Sequence, residues 1–196
     1  EYGPYTTVYN RFNRWSKAGI WRSILESLVA FDAADTQSID STTAKAHRCA
    51  AGGKGGLKSR QLVAAEAVDD EIHAIADTKG RIIAFSLTEG NRHDLPPAQD
   101  LVEQIPAATT LLGDTAYDSD RFRTFLADRG TTPEIKQNPT RKRLHPFNPT
   151  AYRGRNLIER AFCLLKDWRR VATRYDKLAR NFTATVILAT IVRWWI

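Results

Sequence analysis

The sequence predicts an α/β protein, with a mixed sheet carrying helices on its faces and a short helical segment in front of it. Three observations predict this. Apolar and amphipathic segments follow one another in the order strand, hairpin, helix, strand, helix, strand, helix. Two of the strands close on aspartates, Asp40 and Asp114. The helix after the last strand sets a carboxylate, Glu159, among arginines and lysine.

The elements can be justified in order. Thr6 or Thr7 can cap a helix running to about Lys17, with Val8, Phe12 and Trp15 at helical spacing. Gly19 breaks it, and IWRSILESLVAFDAAD restarts the period as a second helix. Asn10, Arg11, Asn13, Arg14 and Lys17 decorate the first helix. The pair therefore reads either as part of a small helical DNA-binding unit or as a solvated basic face. TQSID, ending at Asp40, is a short buried strand. The stretch from His47 to Glu71, with AAGGKGGLKSRQ inside it, is a loop by composition. It is no phosphate-binding P-loop, because Leu57 stands where that motif needs its second glycine.

EIHAIAD and RIIAFSLTEG alternate apolar with polar residues around Thr78, Lys79 and Gly80, which predicts a β-hairpin. DLPPAQDLVEQI is a helix with its prolines in the first turn, where they are tolerated. TTLLGD is a strand ending at Asp114. DSDRFRTFLADRG is a helix capped by Asp118 or Ser119 and closed by Gly130, and TPEI is a last strand. Residues 136–150 are Pro-rich and basic, a loop that leads into the long basic helix YRGRNLIERAFCLLKDWRR. The apolar run from Phe182 to Ile196 carries Arg193 and is shorter than the roughly 20 residues a bilayer requires. It predicts a core helix.

Composition narrows the classes. A chain of 196 residues, 42% hydrophobic, suits one domain with a small appendage. The net charge of +7 and pI near 9.6 favour polyanionic partners. Cys49 and Cys163 lie far apart with no C-x-x-C, which argues against a disulfide framework and a zinc ribbon and fits a reducing cytoplasm. The chain opens on Glu1 without a signal peptide and contains no Met, so a fragment of a longer reading frame or a removed start is expected.

The carboxylates carry the chemistry. In an open sheet, residues at neighbouring strand ends converge in a crevice. Asp40 and Asp114 would repel there and raise one another's pKa unless a cation lay between them. Glu159 can bring a third carboxylate from the flanking helix. Oxygen ligands without His or Cys favour Mg²⁺ or Mn²⁺ over zinc. Local roles stay open for each residue: Asp40 can cap a turn through Ser41 and Thr42, Asp114 can end its strand, and Glu159 can pair with Arg155 at i−4. At about 100° per residue, Tyr152, Arg155, Glu159 and Lys166 form one polar stripe. Leu157, Ala161, Leu164, Trp168 and Val171 occupy the opposite arc, the expected core face. Arg155 and Lys166 would then flank the metal and grip phosphates.

The spacing Y-x2-R-x3-E-x6-K, present as Tyr152, Arg155, Glu159 and Lys166, resembles the signature around the catalytic glutamate of bacterial insertion-sequence DDE transposases, insertion-sequence families four and five. IDSTTAKAHR and LLGDTAYDSD resemble the family's two aspartate segments, and GNRHDL and RRVATRYDKLARNF also resemble that group. The resemblance implies a ribonuclease H-like catalytic domain over residues 35–196, after a remnant of a helical DNA-binding region over residues 1–34. It implies Asp40, Asp114 and Glu159 as catalytic, metal-binding triad for two Mg²⁺ or Mn²⁺ ions about 3.5–4 Å apart. Tyr152, Arg155, Lys166, Arg169, Arg170, Arg174 and Lys177 would contact DNA, the basic residues mostly through phosphates. The implied reaction is hydrolysis of a phosphodiester and then strand transfer at the element ends, with no covalent protein–DNA intermediate. The implied partners are double-stranded DNA, as terminal inverted repeats and target, and a second copy in a homodimer on DNA. No membrane is involved, and the expected place is the bacterial nucleoid. The family's helical region normally precedes GPYTTVYNRFNRW, so an N-terminally truncated chain is expected, and a local frame change or decay of the element is expected behind SRQLVAAEAVDDE. The alternatives are a catalytically inactive DNA-binding remnant and a host nuclease of the same fold, and the four-residue signature argues against the host nuclease.

Overall fold

A computed structural model describes residues 3–30, 35–50, 69–90, 95–142 and 144–196. The alternating apolar segments pair as the hairpin predicts. β1 (Thr36–Ala46), β2 (Asp70–Ala76) and β3 (Ile82–Glu89) are antiparallel. Asp77 makes the β2–β3 turn by accepting from the backbone N–H groups of Lys79 and Arg81, both at 2.9 Å. Gly80 supplies the left-handed φ of 72° that closes it. β4 (Thr110–Gly113) then pairs parallel to β1, and β5 (Thr132–Ile135) parallel to β4, giving the order β3-β2-β1-β4-β5. This is the mixed sheet of the ribonuclease H-like class.

Helices cover both faces because the central strands bury residues on two sides, as β2 does with Ile72 and Ala74 on one face and Ile75 on the other. α3 (Leu95–Glu103) and α4 (Asp120–Asp128) pack on one face, where Ile39, Ile75, Leu111 and Ile135 are buried with Leu101 and Leu126. α2 (Ile20–Ala30), α6 (Asn156–Lys166) and α8 (Ala179–Trp194) cover the other, over Ala44, Ile72, Ala74 and Phe85. α8 is the core helix expected of the C-terminal apolar run, with Phe182, Val186, Ile187 and Ile191 buried. Among the described residues no helix is long and apolar enough to cross a membrane.

α1 (Tyr5–Ala18) buries no residue fully. Its inner side holds Phe12 and Trp15 against Trp21, with ring centroids 6.4 and 4.9 Å apart. Tyr5, Val8 and Tyr9 stay exposed. Pro4 occupies its N-cap without a side-chain bond, so neither Thr6 nor Thr7 caps the helix. α2 is held more firmly, through Leu25 in the core.

Three expectations require correction. β1 does not end at Asp40 but runs on to Ala46, because antiparallel pairing with β2 continues to Ala44. The glutamate segment is not one helix. It comprises α5 (Pro149–Tyr152), a 3-10 turn over Arg153–Arg155, α6, and α7 (Arg169–Ala172), broken where Trp168 turns extended. The buried arc of α6 is Ile158, Ala161, Phe162 and Leu165, while Leu157 and Leu164 are half-buried and Trp168 is 43% exposed. α6 packs against β1 and α8 together, so its covered arc is centred between those two neighbours rather than on one sheet face. The glycine-rich stretch, most of the segment suspected of a frame change, and the middle of GNRHDL fall in 51–68 and 91–94, outside the described residues.

β6 (Thr173–Arg174) pairs with the far end of β1 and carries Arg174 into the interior, 1% exposed. Arg174 meets Asp70, which is fully buried. Burial pushes the Asp70 carboxyl up to about 6, against the pull of Arg174. The folded chain therefore keeps this proton to a higher pH than the unfolded chain, so this group's contribution to stability declines as pH rises from about 4 to about 6. Arg174→Met should leave a buried carboxylate without its cation and lower stability at pH 7 by about 3–5 kcal/mol. Denaturant unfolding should show a smaller loss at pH 5, where Asp70 is protonated.

Candidate active site

The site begins with register. β1 and β4 pair in parallel from Thr36 with Thr110 to Ser38 with Leu112. Asp40 and Asp114 stand two residues beyond that last pair, on adjacent strands at matching depth. β4 stops at Gly113, and Asp114 turns the chain by accepting from the backbone N–H of Ala116 at 2.9 Å. Asp40 stays inside β1, where its carboxylate accepts from the N–H of Ser41 at 3.0 Å.

The third carboxylate comes from the opposite side. Asn148 caps α5 by accepting from Thr150 and Ala151, Pro149 fits the first helical position, and the backbone N–H of Asn148 donates to Glu134 of β5 at 2.8 Å. The 3-10 turn that follows crosses β4 so closely that a Cβ on Gly154 would lie 3.3 Å from Leu112. A side chain there would need the tip of Leu112 to give by a few tenths of an ångström. The turn delivers Arg155 into the crevice, and one helical turn later Glu159 faces the same point.

Arg155 is the centre of the arrangement. Its Nη2 donates to Asp40 Oδ2 at 2.8 Å and lies 3.8 Å from Asp114 Oδ2, while Nη1 donates to Glu159 Oε1 at 2.5 Å. Two of the three local roles that the sequence left open are present, while Asp40, inside β1, caps no turn. Asp40 bonds Ser41, Asp114 caps a turn, and Glu159 pairs with Arg155. All three carboxylates nonetheless converge on one guanidinium. Among the described residues no three carboxylate, imidazole or thiol side chains are gathered closely enough to share one ion as they stand. The guanidinium lies where they meet.

Electrostatics follow from burial. Desolvation raises the Asp40 carboxyl above its ordinary value, with Arg155 opposing and Asp114 reinforcing the shift. Desolvation works against the Arg155 charge, but Asp40, Tyr152 and Asp114 outweigh it and hold the guanidinium protonated. Tyr152 is raised by burial and packs its ring 5.2 Å from Phe147. Lys166, lowered by burial, donates to Thr42 Oγ1 at 2.6 Å. Two members of the polar stripe reach β1, Arg155 at Asp40 and Lys166 at Thr42.

The remaining basic residues divide. Arg169 and Lys177 are exposed, and Arg170 is exposed but paired with Asp176 at 3.2 Å. Arg174 is buried on Asp70 and offers nothing to a ligand, which removes it from the expected DNA-contacting set. The sequence could not reveal this, because Asp70 lies over a hundred positions away. Cys49 and Cys163 are both free thiols.

Sequence reasoning missed Asp118. It does not cap α4. Its carboxylate, almost wholly buried, accepts from Arg123 Nε and from the backbone N–H of Asn138, both at 2.9 Å, and lies 3.4 Å from Arg141. Burial would raise this carboxyl, but the Asn138 N–H and the two guanidinium groups outweigh it and hold it below the usual range. Arg141 and His145 also reach Asp120. These bonds fasten the basic loop that feeds the glutamate segment.

A ribonuclease H-like domain with an acidic crevice at the end of its central strands is the class that fold and site define. The family model for the transposase DDE domain matches residues 33–194, and the chain belongs to that family. It is similar to a protein of Brucella ovis described as a transposase for insertion sequence element IS6501, with 34% identity over 125 residues, 63% of this chain and 96% of that one. It is also similar to one of Burkholderia cepacia described as a transposase for insertion sequence element IS402, with 29% identity over 134 residues, 63% of this chain and 61% of that one. Among solved structures, the catalytic core domain of BIV integrase aligns with a TM-score of 0.47 at 14% identity, covering 81% of this chain and 82% of that one. A pre-cleavage Mos1 transpososome aligns with a TM-score of 0.34 at 13% identity, covering 94% and 58%. The strand order β3-β2-β1-β4-β5 defines the fold.

Asp118→Ala should cost about 2–3 kcal/mol by leaving charged hydrogen-bond donors unpaired. Limited proteolysis should then cut within residues 136–148, where the parent resists. In the parent, the stabilisation from Asp118 is present above the ordinary carboxyl value of 3.8 and is lost as pH falls below it.

Proposed function

We propose that this chain is the catalytic domain of an insertion-sequence transposase that cleaves DNA and transfers strands with divalent-metal help. The observation that carries the reading is the convergence of Asp40, Asp114 and Glu159 on a single positive charge, within a chain of the transposase DDE domain family. The donor set is all oxygen, suited to Mg²⁺ or Mn²⁺. That a guanidinium already sits among the three carboxylates supports their fitness for a cation. Bound ions there would supply activation of the attacking hydroxyl and stabilisation of the leaving oxygen. Asp40 and Asp114 hold the sheet side of the site, and Glu159 the helix side.

Around that centre, Lys166 and Tyr152 lie at the rim, positioned for the DNA backbone, and exposed Arg169, Arg170 and Lys177 extend the basic surface. Double-stranded DNA, both element ends and target, is the proposed substrate, bound by a homodimer. Residues 35–196 form the catalytic domain in this reading, and residues 1–34 the end of a helical DNA-binding region whose basic face is exposed on α1.

Asp40→Asn, Asp114→Asn and Glu159→Gln should each abolish Mn²⁺-dependent cleavage of a terminal-repeat duplex while leaving DNA binding in EDTA intact. Cleavage at the parental rate by any of them would remove that residue from the site. A parent that binds the duplex but never cleaves it would be a DNA-binding remnant instead. Lys166→Ala should weaken binding and lower the slope of log K against log[salt] by about 0.9, one phosphate contact.

A further inference from the structure

Arg155 satisfies three carboxylates and keeps little of itself for anything else. Nη1 and Nη2 both face carboxylate oxygens, Nε is buried without a hydrogen-bond partner, and the side chain is only 15% exposed. In this position it is closed to a DNA phosphate. A divalent cation on the same oxygens would stand beside a second positive charge, and like charges at that separation repel strongly. Either the guanidinium or the cation can hold the carboxylates.

The side chain is built for exchange. It springs from a one-turn 3-10 segment held against β4 through Gly154, so rotation about its own bonds moves the charge while the backbone stays put. Its planar fork matches a phosphate as well as it matches a carboxylate. Lys166 differs: its ammonium is anchored on Thr42, clear of the carboxylates.

We propose that Arg155 is an exchangeable counter-cation, neutralising Asp40, Asp114 and Glu159 before metal binds and turning to a DNA phosphate once displaced. The inference rests on the reading of the crevice as a divalent-metal site. Arg155 thereby couples two ligands: metal releases the guanidinium for DNA, and DNA, by holding the guanidinium, favours metal. Before metal arrives, the same residue suppresses repulsion among the three carboxylates.

Two measurements on the whole chain test this. In calorimetric titration with Mn²⁺ and no DNA, Arg155→Met should bind Mn²⁺ tighter than the parent by about tenfold or more. Arg155→Gln should shift the same way, which keeps the test open if the Met variant unfolds, and Asp40→Asn should bind Mn²⁺ more weakly. In duplex binding across a salt series, parent and variant should give equal slopes in EDTA. In Ca²⁺ the variant's slope should fall below the parent's by about 0.9. Unchanged or weaker Mn²⁺ binding in both Arg155 variants, with Asp40→Asn still impaired, overturns the exchange and leaves the metal site standing. A slope difference already present in EDTA makes Arg155 a permanent phosphate contact and also overturns it. Equal Mn²⁺ binding by the parent and Asp40→Asn removes the metal reading and the exchange together.

Discussion

Carboxylates that share a crevice repel one another, and the architecture around Asp40, Asp114 and Glu159 is arranged to make that repulsion tolerable. The sheet provides two of the acids because parallel pairing of β1 with β4 stops at Ser38 and Leu112, just short of them. The helix provides the third because the 3-10 turn before α6 lies flat on β4. Arg155, on that same turn, supplies the charge that lets all three approach. If the turn were displaced, the crevice would lose its cation and its third acid together, since both are carried by one short segment.

Buried charge elsewhere follows the same rule of pairing. Asp70 and Arg174 are both withdrawn from water and meet each other where β6 joins the end of β1. Asp118 satisfies Arg123 and a backbone N–H of the loop that follows β5. These pairs are not decoration on a hydrophobic core. They connect segments distant in sequence, and each braces an element that supports the crevice: β2 and β6 on either side of β1, and the loop leading to the glutamate segment.

The local roles of the three acids also show why single residues mislead. Asp40 bonded to its neighbour's N–H, Asp114 as a cap and Glu159 as half of an i,i+4 ion pair are all physically present. None excludes the collective arrangement, because a carboxylate has two oxygens and several lone pairs to share. What distinguishes a site from three unrelated contacts is convergence, and convergence belongs to the fold.

The sequence by itself determined the α/β class, the hairpin, the order of strands and helices, and the four-residue stripe of Tyr152, Arg155, Glu159 and Lys166. These are carried by periodicity, turn residues and fixed spacing, all of them local. Tertiary structure decided the rest. It extended β1 past Asp40, because β2 was there to pair with it. It turned the buried arc of α6 to Ile158, Phe162 and Leu165, because two neighbours rather than one cover that helix. It withdrew Arg174 from the surface and gave Asp118 a loop to hold, through partners that no local pattern announces. Above all it placed one guanidinium among three acids drawn from three separate elements. The distance between sequence-remote side chains is set by packing, and packing is a property of the whole chain.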